Sequence, residues 1–551
     1  MNKTYYVCKY TPVELLAAFG GECENLNGMP EGFERADQIA HPNLCGFGKS
    51  VLETVMAGNV KELVLVNCCD TIRSVYDLLE DSGQMDFLYM MDVLHSDGSC
   101  SRERVASQLK DLAKEYGAYK GREFDRELFC KAFQPKERTQ EPHLAVLGAR
   151  MGKELFEMTS KAMPLPVVNE SCVNNRSVGR EEPPADADFD ALMEWYAGEL
   201  LGQLPCMRML DNTGRKQIYQ DPSLRGIIYH TVKFCDFYSF EYSEIRQRAD
   251  VPILKIESDY TVQSSGQLLT RLEAFAESLS MEADERKERT MGKGYFAGID
   301  SGSTSTDVVI LNKEKEIVAG VIMPTGAGAA LGAERALEEA LKEVGLARED
   351  IDAVVTTGYG RTAISVGDKS ITEITCHARG AHFLDPEVRT VVDIGGQDSK
   401  VIRLNEDGTV KNFVMNDKCA AGTGRFLEMM ARTMEMSLDE MSRIGLSYKE
   451  DITISSMCTV FAESEVVSLI AQNKSTDDIV HGLNKAVAAK TASLVKRVGG
   501  EEKYMMTGGV AQNQGLVKTL EERLGTKLVI SDKSQLCGAL GAALFAADMA
   551  M

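Results

Sequence analysis

The sequence predicts an α/β protein of at least two domains, and three observations carry that expectation. The chain has 551 residues, whereas a single hydrophobic core stops growing near about 250–300 residues. Both halves alternate short apolar runs with longer amphipathic stretches, the pattern of strands and helices taken in turn. Between them, residues 280–294 (SMEADERKERTMGKG) are charged and contain glycine, and they follow a helical pattern running from Leu268 to Leu279. That composition reads as a linker. The expected organisation is a first domain over 1–279, a linker over 280–294 and a second domain over 295–551. No internal repeat and no low-complexity tract is evident.

Charge and cysteine content narrow the function. Lys and Arg total 61 against 83 Asp and Glu, a net −22, which argues against a nucleic acid or an anionic membrane as partner. A nucleotide phosphate would have to be held by local backbone N–H groups and a metal, against the overall field. The first residues, MNKTYYVCKYTPVELLAAFGG, lack the basic and apolar regions of a signal peptide, and no apolar run is long enough to span a membrane. A cytoplasmic chain is therefore expected, in which the 14 cysteines stay reduced and point to metal or catalysis rather than disulfides. Ten of them precede residue 240 and four follow it.

In the first half the expected strands are 62–67 (ELVLVN), 143–148 (HLAVLG), 165–170 (LPVVNE), 226–231 (GIIYHT) and 252–257 (PILKIE). Cys68 and Cys69 follow the first, Cys172 the third and Cys235 the fourth. Ligands of open α/β sheets bind beyond the carboxyl ends of the strands, so these cysteines could converge in one crevice. CGFGKS (45–50) imitates the end of a P-loop, but Asn43 stands where that motif needs glycine, so it is set aside. His95, His230 and His377 fall into no metal-binding spacing and read as structural or surface residues.

The second half carries turns suited to a nucleotide. FAGIDSGSTSTDVVIL (296–311) reads as strand, tight turn, strand, with Asp300 ending the first strand and Ser301, Gly302, Ser303 and Thr304 forming the turn. Such a turn brings N–H groups to phosphate oxygens, while the aspartate can hold Mg²⁺ through water. TVVDIGGQDSKVIRL (390–404) repeats the logic with Asp393, Gly395, Gly396, Gln397 and Asp398. MMTGGVAQNQG (505–515) opens a helix, and its Gly508, Gly509 and Val510, with Asn513, can seat an adenosine. In this order and spacing the set resembles the phosphate and adenosine motifs of the actin-like (ribonuclease H-like) ATPase superfamily, which implies two half-domains closing on ATP. Asp300, Asp393, Gln397 and Asp398 are then the candidate catalytic residues.

Two cysteines narrow this further. Cys419 (MNDKCAAGTGRFLEMMA, 415–431) and Cys458 (ISSMCTVFAESEVVSLI, 454–470) each precede a helix, whose amino terminus favours thiolate and cluster charge. A 4Fe-4S cluster needs four thiolates, so one such pair per chain suggests a homodimer sharing a cluster. With GIDSGSTSTD, TGYGR, DIGGQDSK, TGGVAQNQG and the final CGALGAALFA, residues 293–551 resemble the activator ATPases of 2-hydroxyacyl-CoA dehydratases and the ATPase subunits of benzoyl-CoA reductases. The resemblance implies that Cys419 and Cys458 bind a bridging 4Fe-4S cluster, and that ATP hydrolysis drives a low-potential electron from it to a partner. Cys376 and Cys537 match no ligand position and are expected to pack.

Residues 1–290 resemble the iron–sulfur subunits of the same dehydratases, including the double-cubane-cluster proteins, through CKYTPVELLAAFG, HPNLCGFGKS, VNCCDTIRSVYDLL, VVNESCVNNRS and FCDFYSFEYSEIR. The resemblance implies cluster ligands at Cys45, Cys69 and Cys235, enough for a 4Fe-4S cluster with an open iron. A double cubane (8Fe-9S) would need six, and the Cys68-Cys69 pair, with Cys8 and Cys172, favours it. Classical dehydratases use two different cluster subunits and this chain has one. The expected function is ATP-driven electron transfer into the first domain's cluster, which acts on a small molecule or an acyl-CoA, with a ferredoxin or flavodoxin as donor. The alternative is a non-redox actin-like kinase or nucleotide-gated binding module, against which the Cys419/Cys458 pair speaks.

Overall fold

The structure, a computed structural model, describes residues 3–133, 140–179, 181–262, 265–280, 293–326, 328–416, 420–454 and 459–550. The chain divides into two compact units, Met1–Glu273 and Ala274–Met551. Most of the expected linker, residues 281–292, lies outside the described residues.

The first unit holds two four-stranded sheets. Strands β1 (Thr4–Tyr6), β2 (Cys23–Asn25), β3 (Glu62–Val66) and β4 (Phe87–Met91) lie in the order β2-β1-β3-β4. Strands β5 (His143–Gly148), β6 (Val167–Asn169), β7 (Leu224–Val232) and β8 (Ile253–Ser258) lie in the order β6-β5-β7-β8. Every pairing is parallel. The two orders are the same path traced twice, a duplication that left no repeat in the residues. Buried parallel strands read as continuous apolar runs, as ELVLV and HLAVLG do, and successive residues of β3 serve opposite faces. Leu63 and Leu65 pack with Val51, Leu52, Val75 and Leu79, while Val64 and Val66 pack with Leu109, Leu112 and Tyr116. The five strands expected in this half are present. Strands β1, β2 and β4 were not anticipated.

The second unit is also a duplication. Strands β9 (Tyr295–Ser301), β10 (Ser305–Leu311), β11 (Ile317–Pro324), β12 (Ile351–Thr357) and β13 (Lys369–Ser370) lie in the order β11-β10-β9-β12-β13. Strands β14 (Thr390–Ile394), β15 (Ser399–Leu404), β16 (Val410–Asn416), β17 (Tyr504–Thr507) and β18 (Leu528–Val529) repeat it as β16-β15-β14-β17-β18. In each sheet the first three strands run antiparallel and the last two parallel to the central one. This is the actin-like architecture of two half-domains.

A connecting helix, Glu373–Leu384, joins the two sheets and crosses the alanine-rich C-terminal helix, Cys537–Ala550, at bare backbone. A Cβ on Gly541 would lie 1.8 Å from the Cys376 carbonyl oxygen, and one on Gly380 would lie 2.2 Å from that of Cys537. Glycine at both positions lets the helices touch. Cys376 and Cys537 are both fully buried at this crossing. Among the described residues, no helix is long and apolar enough to cross a membrane.

Candidate functional site

Asp300 and Asp393 are each the penultimate residue of the central strand of a sheet, and both line one cavity of about 340 Å³. Gly302, Ser303 and Thr304 line it from the first turn, and Gly395, Gly396 and Asp398 from the second. Gly508, Gly509, Val510 and Asn513 come from the segment after β17. Two expected residues stand apart: Ser301 is fully buried and Gln397 is exposed, and neither lines the cavity. The walls need glycine. Gly358 and Gly508 have φ of 85° and 82°, and a Cβ would meet Asp300 Oδ1 at 2.6 Å from the first and Asp393 Oδ1 at 2.9 Å from the second. A Cβ on Gly396 would lie 2.2 Å from Thr304 Oγ1, closing the gap between the two phosphate turns.

Sequence reasoning missed the residues that join the two halves. His377, on the connecting helix, stands between the aspartates, with Nε2 3.6 Å from Asp300 Oδ2 and Nδ1 3.5 Å from Asp393 Oδ1. Burial opposes its charging, but Asp393 and Asp300 hold the imidazolium well above the usual histidine range. Lys400, buried behind Asp393, lies 3.2 Å from Asp393 Oδ2 and 2.7 Å from Asp398 Oδ2. Thr507 Oγ1 donates to Asp393 Oδ1 at 2.9 Å. Although burial works the other way, His377, Lys400 and Thr507 keep Asp393 ionised below the usual carboxylate range. Burial, with Asp300 close by, pushes the Asp307 carboxyl up to about 8. No spacing rule would have found His377, which comes from a helix between the two motifs. The second half thus offers two facing carboxylates, glycine-lined walls and turn N–H groups, an arrangement that suits Mg²⁺ and a nucleoside triphosphate.

The cysteines of the first half collect at strand ends and helix starts. Cys45, Cys69 and Cys235 are the N-cap residues of the helices Gly46–Met56, Asp70–Ser82 and Asp236–Arg248. Cys8 follows β1 and Cys68 follows β3, adjacent strands at the point where the sheet's strand order reverses. Cys68 neighbours both Cys69 and Cys8, and its proximity holds the Cys69 thiol down to about 7. In the second sheet Cys172, just past β6, neighbours Cys206, which is thereby held well below the thiol range, with Lys9 contributing. Cys206 was not among the expected ligands, since it follows no strand. Lys9 is buried among these groups and donates to Asn175 Oδ1 at 2.9 Å and to the Leu204 carbonyl. Sulfur donors in contact, with a buried cation beside them, suit an iron–sulfur group. Among the described residues, no three His, Cys, Asp or Glu side chains are grouped to hold a single metal ion. None of the described cysteines is in a disulfide. Cys419 and Cys458 lie outside the described residues.

Fold and cavity together define an actin-like ATPase carrying a thiol-rich α/β unit. Residues 297–546 match the model of the BadF/BadG/BcrA/BcrD ATPase family. Residues 8–166 and 131–279 match that of the 2-hydroxyglutaryl-CoA dehydratase D-component. The 2-hydroxyisocaproyl-CoA dehydratase activator of Clostridioides difficile is 49% identical over 256 residues, 46% of this chain and 96% of the activator. One of the subunits of the benzoyl-CoA reductase of Thauera aromatica is 36% identical over 221 residues, 39% of this chain and 78% of that relative. Among solved structures, component A of the Acidaminococcus fermentans (R)-2-hydroxyglutaryl-CoA dehydratase is 45% identical, covering 47% of this chain and 99% of that one, with a TM-score of 0.46. The chain belongs to the BadF/BadG/BcrA/BcrD family of ATPases, which includes the activators of 2-hydroxyacyl-CoA dehydratases.

Proposed function

We propose that the chain is a self-contained, ATP-driven, low-potential electron-transfer protein. In this reading two chains share a 4Fe-4S cluster held by Cys419 and Cys458. Hydrolysis of Mg·ATP in the second unit drives an electron from it to an iron–sulfur group in the first, which reduces a small molecule or initiates dehydration of a 2-hydroxyacyl-CoA. A ferredoxin or flavodoxin supplies the electron. The observation that carries the reading is the gathering of Cys8, Cys68, Cys69 and Cys172, which follow strands, with Cys206, which the fold brings beside Cys172, in a chain that also holds an ATPase cavity.

When bound, iron and sulfide supply one-electron chemistry. The chain's own residues do the rest. The helices turn their positive ends toward Cys45, Cys69 and Cys235, which favours thiolate, although at Cys45 burial outweighs this and pushes the thiol up. Cys206, with Lys9 beside it, is ready as a further ligand to join Cys8, Cys68 and Cys172. In the second unit Asp300 and Asp393 orient metal and water, the turns 302–304 and 395–396 offer N–H groups to phosphate, and Gly508 to Val510, with Asn513, seat the adenosine.

Iron and sulfide quantitation on anaerobically purified protein tests this. The shared cluster contributes about two irons per chain, and the first unit about four for a single cubane or about eight for a double one. Protein without iron and without absorbance near 400 nm would leave the non-redox alternative standing.

A further inference from the structure

One side chain that braces the nucleotide cavity comes from outside the segment 297–546 that matches the ATPase family. It lies on the helix Ser265–Ser280, most of which falls in the stretch matching the dehydratase component. The carboxylate of its Glu277 takes three hydrogen bonds from the start of the connecting helix. The Thr372 N–H donates to Oε1 at 2.9 Å, and the Thr372 and Thr375 hydroxyls donate to Oε2 at 2.5 Å each. Thr372 is the N-cap of that helix, and its own side chain makes no capping bond. Glu277 therefore supplies, from another element, the acceptor and the negative charge that a helix start favours.

The position of this helix matters because of what it carries. Five residues beyond Thr372, His377 reaches Asp300 of one half-domain and Asp393 of the other. The same helix is pressed against the C-terminal helix at Gly380 and Gly541. With one flank in backbone contact, the helix can shift chiefly along its own axis, and the Glu277 anchor resists that movement.

We propose that Glu277 is a positioning residue for ATP hydrolysis, fixing the connecting helix so that His377 holds Asp300 and Asp393 in register. The proposal rests on the reading of this cavity as an ATP-hydrolysing site. A residue from the dehydratase-like stretch thereby becomes part of the ATPase framework.

The test measures steady-state phosphate release, ADP binding and melting temperature on the full chain. It compares wild type, Glu277→Gln, Thr372→Val, His377→Asn and the Glu277→Gln/His377→Asn double variant. Glutamine keeps the size and an acceptor for the Thr372 N–H but cannot accept from both hydroxyls. A misplacement of about 1 Å can cost about a hundredfold, so a partly released helix should lower kcat roughly tenfold, with KM for ATP within about twofold. Thr372→Val, which breaks the same contact from the other side, should lower kcat in the same direction, and it serves if Glu277→Gln does not fold. In the double variant, Glu277→Gln should add less than about twofold to the loss from His377→Asn, because the two act in series. Unchanged kcat with a lowered melting temperature would make Glu277 a structural cap and overturn the proposal, as would full additivity in the double variant. Wild-type protein unable to hydrolyse ATP would overturn the reading of the cavity itself. An active wild type with unaffected Glu277 and Thr372 variants would overturn the positioning role alone.

Discussion

Gly538, the second residue of the C-terminal helix, separates two quantities that most substitutions confound. A Cβ there would lie 2.0 Å from Asp300 Oδ2 and 2.9 Å from His377 Nε2. Ordinary contact begins at 3.4 Å, so in Gly538→Ala the carboxylate must retreat by about 1.4 Å, the gap between those distances. Within a helix, alanine is intrinsically better than glycine by about 0.5–1 kcal/mol, while overpacking costs typically about 1–3 kcal/mol. The net change in stability is thus between about zero and 2.5 kcal/mol, at most several degrees in melting temperature for a unit of this size. The catalytic cost is larger, since a misplacement of about 1 Å is worth about a hundredfold in rate, or roughly 2.7 kcal/mol of barrier. Phosphate release and thermal melting on the same preparation should show a hundredfold loss of turnover in protein that is still folded. Gly198→Ala, on the helix Phe189–Leu201 where a Cβ meets nothing within 4 Å, is the control and should leave turnover unchanged. Turnover of Gly538→Ala within threefold of wild type would refute the placement of Asp300 at the reacting phosphate.

Other substitutions address neighbouring features. Lys400→Met leaves Asp393 and Asp398 without their buried cation and should destabilise the chain by roughly 3–5 kcal/mol in urea unfolding; a loss below about 1 kcal/mol would mean the carboxylates are not held charged. Cys206→Ser should lower the iron bound by the first unit while leaving ATP turnover intact, and full iron retention would remove Cys206 from the ligand set. His230 is buried neutral between the Ala149 carbonyl and Ser258 Oγ, and burial lowers it from 6.5 to about 4. The unfolded chain takes up that proton first, so this share of stability is present above pH 6.5 and is lost as pH falls toward 4, a change of roughly 3 kcal/mol. Urea midpoints followed across that range should fall with this slope in wild type and be flatter in His230→Asn.

What could be read in the sequence was whatever is encoded locally. A strand that ends in aspartate and turns through glycine carries its own signature, so Asp300 and Asp393 were identifiable from their neighbours alone. Cys45, Cys69 and Cys235 were also singled out, and all three prove to be N-cap residues. Contacts made across the fold left no such trace. His377 looks like any histidine in a helix until two sheets deliver an aspartate to each of its ring nitrogens. Gly538 looks like one more small residue in an alanine-rich helix until Asp300 arrives beside it. Cys206 follows no strand, and only the fold brings it to Cys172. The duplications in both units were equally hidden, because a repeated strand order constrains which elements are neighbours and does not require the same residues.

Local charge bears on how an acidic chain could host the two anionic groups of the proposed function. In the first unit, buried Lys9 stands beside Cys172 and Cys206, and Arg208 acts on Cys69, so the charge that favours thiolate is local and shielded from the −22 of the whole. Local cations of this kind act at short range in a low-dielectric setting, where a distant surface charge is screened. The nucleotide cavity is arranged differently. Among the described residues that line it, Asp300, Asp307, Glu373, Asp393, Asp398, Glu428 and Asp439 outnumber the two cationic groups, Lys400 and His377, and both of those are already engaged with carboxylates. A triphosphate entering this cavity alone would meet net negative charge. In the proposed function the compensating charge therefore arrives with the nucleotide as a divalent cation, and the aspartate near the end of each central strand is the group proposed to receive it.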